Sequence, residues 1–319
     1  MNVVLERLTA RGAMSFADFM RIALYYPQFG YYERKGVHRV GSSSTDDFFT
    51  AESIGSIFAN LVISAAKKIV GDKASTTIFA EAGAEPGETN VFSHACPPFL
   101  QSDSIGRGEK LFSDRPTIVF SNELFDAQPF YRVVRKNGRW RECGVRIEDK
   151  KPVEVLLDEF SPPVASFSPR FPDDAPEEYR MDLPLEAESL MRELAGNRNV
   201  VAVIAFDYGL DWDDILFRRP GGTARAYSRQ ALRGDILAAP GEQDITCHIA
   251  WDGLENTLKE CGFKNVKTER QEAFFMHNSM HCIEGILKRG DPIECGKLRE
   301  LLHPMRMGEI FQVLTATRD

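Results

Sequence analysis

The stretch Ile118-Val119-Phe120-Ser121-Asn122-Glu123-Leu124-Phe125-Asp126-Ala127 decides how this chain is read. Three apolar residues in a row, without alternation, suit a strand buried on both faces, as in parallel sheets. An amide and two carboxylates, Asn122, Glu123 and Asp126, follow at once. Two further runs have the same build: Ile78–Ala80, ending in Glu81, and Val200–Phe206, ending in Asp207. In open α/β sheets the ligand crevice lies outside the carboxyl ends of the strands, so three polar ends point to one site. The expectation is an α/β protein with these three runs as adjacent parallel strands, in that order. Asn122–Asp126 should face a cleft that also holds Gly83 and the end of the Val200 strand.

The turn after the first run reads Glu81-Ala82-Gly83-Ala84-Glu85-Pro86-Gly87. Glycines there let the backbone approach a nucleotide cofactor where a Cβ would clash, although E-x-G is common by chance. The acidic cluster Asn122–Asp126 can orient a substrate nitrogen or hold a cation; it can equally complement a helix N-terminus. Arg225, in Gly222–Tyr227, and Asp244, in Pro240–Thr246, are candidates either for a structural ion pair or for a substrate role.

Farther out, residues 15–27 have helical spacing in Phe16, Phe19, Met20 and Ala23 and stop at Pro27. The aromatic segment Tyr25–Tyr32 reads as a packed turn or as a lip facing substrate. Residues 51–70 carry one apolar stripe, from Ile54 to Ile69, with Thr50 placed to cap the helix and Glu52 in its first turn. Residues 130–157 alternate as a β-hairpin around Asn137-Gly138, a type I′ turn signal. Residues 158–184, rich in Pro, Asp and Ser, read as a surface loop, followed by a helix through Leu183, Ala187, Met191 and Leu194. A helix over Trp251–Cys261, a strand near Lys264–Glu269 and a last strand at Ile310–Thr315, antiparallel to the Val200 strand or near it, complete the reading.

Composition excludes several classes. The 319 residues are 43% hydrophobic and 27% charged, with a net charge of −8. A nucleic-acid partner is not expected, because binding the phosphate backbone needs a basic surface. No apolar run approaches the roughly 18 residues that span a bilayer, and the N-terminus mixes charges of both signs, so a cytoplasmic location and no membrane contact are expected. The six cysteines are scattered without a CxxC pair, as reduced thiols are. His277 and His281 share a helix face beside Cys282, but no acid lies between them and no fourth ligand is evident, so no metal is expected.

In this order, SFADFMRIALYYPQFGYY, DFFTAESIGSIFA, EAGAEPG, SNELFDAQPF, FDYG, GTARAY, PGEQDITCHI, ERQEAFF and GEIFQVL resemble the MidA-like family of class I S-adenosylmethionine (SAM) methyltransferases, which includes mitochondrial complex I assembly factors. The matching stretches span nearly the whole chain. The resemblance implies a Rossmann-like, seven-stranded methyltransferase sheet with a helical N-terminal arm and lid (residues 1–72), and an α/β domain (73–319) with an inserted hairpin and loop at about 130–184. It implies SAM held by Glu81, Gly83, Gly87 and Asn122. It also implies methylation of a protein arginine, with Glu123 and Asp126 gripping the guanidinium and Asn122 shaping the pocket; a protein substrate or assembly partner follows. The chain departs from the family at Glu85-Pro86, where a glycine is usual, and in the short stretch Glu88–Arg115, which shows no strand ending in a ribose-binding acid. Asp103 and Glu109 are the only nearby candidates, in loop-like sequence. Glu85 would repel the cofactor's carboxylate, and weakened SAM binding is expected. The alternative is a methyltransferase-fold protein that serves only as an assembly or interaction module.

Overall fold

A computed structural model of the chain describes residues 3–34, 55–83, 98–106, 108–228, 231–308 and 311–318. Its helices, in chain order, are α1 (Val3–Thr9), α2 (Phe16–Tyr25), α3 (Ser56–Val70), α4 (Pro162–Phe167), α5 (Leu185–Gly196), α6 (Trp212–Phe217), α7 (Trp251–Glu260), α8 (Gln271–Asn278), α9 (Met280–Arg289) and α10 (Pro292–Leu302). Its strands are β1 (Met14–Ser15), β2 (Ile78–Ala82), β3 (Gln101–Ile105), β4 (Thr117–Asn122), β5 (Tyr131–Lys136), β6 (Arg139–Glu148), β7 (Lys151–Leu156), β8 (Arg180–Leu183), β9 (Val200–Asp207) and β10 (Gly209–Leu210), then β11 (Arg225–Ser228), β12 (Ala231–Arg233), β13 (Asp244–Thr246), β14 (Ile249–Ala250), β15 (Lys264–Arg270) and β16 (Gln312–Thr317). The chain divides into two compact units. The first takes residues 1–39, 125–189 and 209–253; the second takes 40–124, 190–208 and 254–319. None of the described helices is long and apolar enough to cross a membrane.

The second unit is a six-stranded sheet in the order β15-β16-β9-β4-β2-β3. β2, β4 and β9 are adjacent and parallel, as their continuous apolar runs require: all five residues of β2 and the first five of β4 are buried. β16 pairs antiparallel with β9, two residues later in sequence than its pattern suggested. Helix α3 lays Ile57, Phe58, Leu61, Val62 and Ala65 on this sheet. The rings of Phe58, Phe120, Phe206, Phe274 and Phe275 meet there, with Phe58 and Phe206 5.3 Å apart. The expected cap Thr50 and first-turn Glu52 lie outside the described residues.

One expectation is corrected here. The stretch Glu88–Arg115 does contain a strand: β3 pairs parallel with β2 over its whole length. Its sequence, QSDSI, has little apolar content because an edge strand with one free side need not be buried. The sheet has six strands among the described residues where the family resemblance implied seven. Helices α8, α9 and α10 follow β15, and His277 and His281, expected on one helix face, fall on α8 and α9, on either side of Ser279.

In the first unit β1, β6, β5 and β8 form an antiparallel sheet, with β7 on the other side of β6. Asn137 (φ 52°) and Gly138 (φ 70°) make the expected left-handed turn, and Asp149-Lys150 repeats the geometry between β6 and β7. The supposed surface loop 158–184 holds α4 and β8. Its Pro and Asp residues mark the ends of these short elements, and Val164, Phe171, Met181 and Leu183 are buried. Helix α2 begins at Ser15, whose side chain accepts the Asp18 N–H at 3.1 Å, and packs Phe16, Phe19, Met20 and Ala23 into the core with Phe130 and Val145.

Candidate functional site

In the second unit the carboxyl ends of β3, β2, β4 and β9 lie side by side. β2 runs through the buried Glu81 to Ala82, and Gly83 leaves it at φ +88°. The conformation calls for glycine, and a Cβ there would stand 2.7 Å from Leu124 Cδ1 and displace that side chain. The Gly83 N–H donates to the Ile105 carbonyl at 2.9 Å, which ties the start of the turn to the end of β3.

β4 ends at Asn122, and Glu123 follows in the left-handed region, at φ +49°. That conformation costs a glutamate about 1–3 kcal/mol and persists only where the surroundings enforce it. Here the Glu123 N–H donates to the Phe206 carbonyl at 2.9 Å, fixing the residue to the end of β9. Asn122 Nδ2 donates to Glu123 Oε1 at 3.3 Å, while the buried Asn122 Oδ1 has no partner among the described residues. A strained carboxylate-bearing residue beside an orphaned buried acceptor has the marks of a functional site. The helix-dipole alternative loses its basis, because β5, not a helix, follows the segment.

The carboxyl end of β3 carries an acid by a route that no strand pattern reveals. Glu109 folds back so that its Oε2 accepts the Gly106 N–H at 3.0 Å. Asp103 lies inside the strand and bonds Gln101. Gly87, Glu85 and Pro86 lie outside the described residues.

At Phe125 the chain enters the first unit. Asp126 is 2% exposed, and its carbonyl accepts the Cys247 N–H at 3.0 Å. The neighbouring Ala127 carbonyl accepts the Tyr25 hydroxyl at 2.5 Å. Tyr25 stacks on Tyr32, centroids 5.6 Å apart, and the Tyr32 hydroxyl donates to Asp244 Oδ1 at 2.6 Å. The aromatic segment is therefore a packed turn, fastened to the acidic segment and to Asp244. Arg225 does not pair with Asp244: it donates to the carbonyls of Thr223 and Ala224, and the β11–β13 register sets Thr246 opposite it.

His248, which no sequence pattern singled out, lies beside this segment with its N–H on Thr223 Oγ1 at 3.2 Å. Burial, then Arg225 and Arg219, push its pKa down to about 4, so the imidazole is neutral at pH 7. His277 Nδ1 meets Glu269 Oε2 at 2.7 Å, and no cluster of metal-ligating side chains occurs among the described residues. Gly83, Asn122 and Glu123 are thus brought together within the second unit, and Asp126 is held in the first.

Residues 105–268 match a family model described as "putative S-adenosyl-L-methionine-dependent methyltransferase". The fold is similar to that of a "likely methyl transferase" from Burkholderia thailandensis bound to S-adenosyl-homocysteine, with TM-score 0.83 and 22% identity, over 99% of this chain and 92% of that one. It is also similar to an uncharacterized protein of the same superfamily and organism, with TM-score 0.81 and 21% identity, over 99% of this chain and 91% of that one. At these identities the two structures establish the shared fold.

Proposed function

Because the chain belongs to this family of SAM-dependent methyltransferases, we propose that it methylates a guanidinium nitrogen of a protein arginine, with Glu123 and Asp126 as the groups that hold and deprotonate it. The observation that carries the reading is Glu123, kept at φ +49° next to the orphaned Oδ1 of Asn122.

The residues present fit the cofactor. Gly83, at φ +88°, turns the chain out of β2 with bare backbone, and Asn122 Oδ1 is a buried acceptor in need of a donor. Glu81, Gly83 and Asn122 would hold SAM, joined by Gly87, with the Glu109 carboxylate at the end of β3 as acceptor for the ribose hydroxyls. Bound SAM supplies an electrophilic methyl group on a sulfonium centre. Methyl transfer then requires an aligned nitrogen and a base for its proton. A carboxylate accepts two guanidinium N–H groups in one plane, which fixes the nitrogen's direction. Glu123, whose Oε1 accepts from Asn122 Nδ2, is the carboxylate that would take the substrate proton. With β3 in place, the cofactor half keeps the strand whose apparent loss favoured a non-catalytic interaction module.

The test is transfer of labelled methyl from SAM to arginine-containing protein substrates, with mass spectrometry locating the methyl group. Glu123→Gln should lower turnover at least 100-fold, within the range general-base removal gives, with an unchanged thermal midpoint. Methyl found on lysine or on a small molecule would refute the arginine assignment.

A further inference from the structure

One corner of the first unit carries more guanidinium charge than it neutralises, in a chain whose net charge is −8. Arg132 on β5 donates to Asp182 from Nε at 2.7 Å and from Nη2 at 3.2 Å. Arg180 donates from Nη1 to both oxygens of Glu154, at 2.6 and 2.7 Å. Asp182 is fully buried, and its Oδ2 also accepts the backbone N–H groups of Thr223 (2.7 Å) and Ala224 (2.8 Å). Gly222 has to be glycine here, since its Cβ would fall 2.3 Å from that oxygen. The segment Arg219–Arg225 is therefore wrapped around a carboxylate already committed to four donors.

Among the described residues, Arg132 and Arg180 take up the two carboxylates of this corner, Asp182 and Glu154. Arg219 and Arg225 are exposed and form no ion pair among the described residues. Among the described residues, Arg225 donates to main-chain carbonyls. Their loop is tied to His248 and its strand: the His248 N–H donates to Thr223 Oγ1 at 3.2 Å, Arg225 pairs opposite Thr246, and the Gly222 N–H donates to the Arg219 carbonyl at 3.0 Å. His248 is adjacent to Cys247, whose N–H holds the carbonyl of Asp126. The loop that carries both arginines is thus bonded to His248, the neighbour in sequence of the residue that holds the backbone of a proposed substrate-holding acid.

We propose that Arg219 and Arg225, beside the imidazole of His248, form an anion subsite that takes an acidic side chain flanking the arginine to be methylated. The inference rests on the protein-arginine reading above. Paired guanidinium groups suit a carboxylate, which each can bind through two parallel N–H donors. An acidic protein also repels an acidic substrate segment at long range, so a local cationic corner selects where such a segment can settle.

The experiment measures binding of two fluorescein-labelled Gly/Arg peptides to the full chain at low salt, one with glutamates flanking the arginine and one with alanines. The glutamate peptide should bind about tenfold tighter, and the preference should shrink at 0.5 M NaCl. Arg219→Ala/Arg225→Ala should abolish the preference, and Arg219→Lys/Arg225→Lys should restore part of it. No preference, or one that survives the double alanine variant, would overturn the subsite. Displacement of the peptide by sub-millimolar inorganic phosphate would overturn the carboxylate assignment. Binding needs no turnover, so the two readings fail separately. A preference without arginine methylation by any assay would leave the subsite standing and refute the function; methylation indifferent to flanking charge would do the reverse.

Discussion

The two units are stabilised by different means. In the second, β2, β4 and β9 bury nearly every residue, and five phenylalanines interlock beneath them. In the first, the antiparallel sheet adds polar contacts to its apolar core: the buried pair Arg132–Asp182, and the part-buried Tyr131 with Glu186 at 2.6 Å and Glu142 with the Ser161 N–H at 2.6 Å. Apolar burial is non-directional and tolerates volume-conserving changes, whereas a buried charge demands its particular partner. The sheet that carries the cofactor-side residues should therefore accept conservative substitution, and the other should not.

The largest effect should come from Phe206→Ala, which empties the centre of the aromatic cluster and should cost about 3–5 kcal/mol in chemical denaturation. Phe206→Leu should cost less than half of that. Equal losses from the two would contradict a tolerant apolar core.

Asp182→Ala leaves Arg132 buried without its carboxylate and frees two backbone N–H groups, so a loss of about 3 kcal/mol is expected. Asp182→Asn should hurt nearly as much, unlike a conservative change among the phenylalanines. Full stability in Asp182→Asn would remove the contrast between the units.

Glu123→Gly sharpens the comparison from the functional side. Relief of the left-handed strain should raise stability by about 1 kcal/mol, read as a higher denaturation midpoint, while methyl transfer is lost. Unchanged or reduced stability would show that Glu123 is not strained.

The smallest effect concerns Glu142, whose carboxyl is 1% exposed and is pushed above its usual value of 4.5, chiefly by burial. The folded state then holds this proton more tightly than the unfolded state does. The contribution of Glu142 is most favourable below the unfolded value and declines as pH rises from 4.5 through the raised folded value. Glu142→Gln keeps an oxygen for the Ser161 N–H, removes that decline and should stabilise by about 1 kcal/mol at neutral pH. A parallel pH profile in the two proteins would sink this account.

How much was legible in advance follows the same division. Ile78–Ala80, Ile118–Phe120 and Val200–Phe206 announced parallel strands because each is buried along its own length; β16, half of it only partly buried, was legible but displaced by two residues. Asn137-Gly138 announced its turn through the backbone freedom of two residues. The cluster Asn122–Asp126 and Gly83 could be named from sequence because both stand at the ends of such strands. Their conformations and partners could not.

What the sequence determined by itself was whatever a short window encodes: the apolar runs, the α3 stripe, the hairpin turn and the acidic residues at a strand end. The tertiary structure alone decided that polar QSDSI is a strand, because its pairing comes from β2 rather than from its own burial. It decided that Glu109 reaches the end of β3, that Tyr32 bonds Asp244 across 212 residues, and that Asp182 rather than Asp244 organises the loop of Arg225. The physical reason is range: burial periodicity is written locally, whereas a hydrogen bond or an uncompensated charge depends on which distant segments the fold brings together.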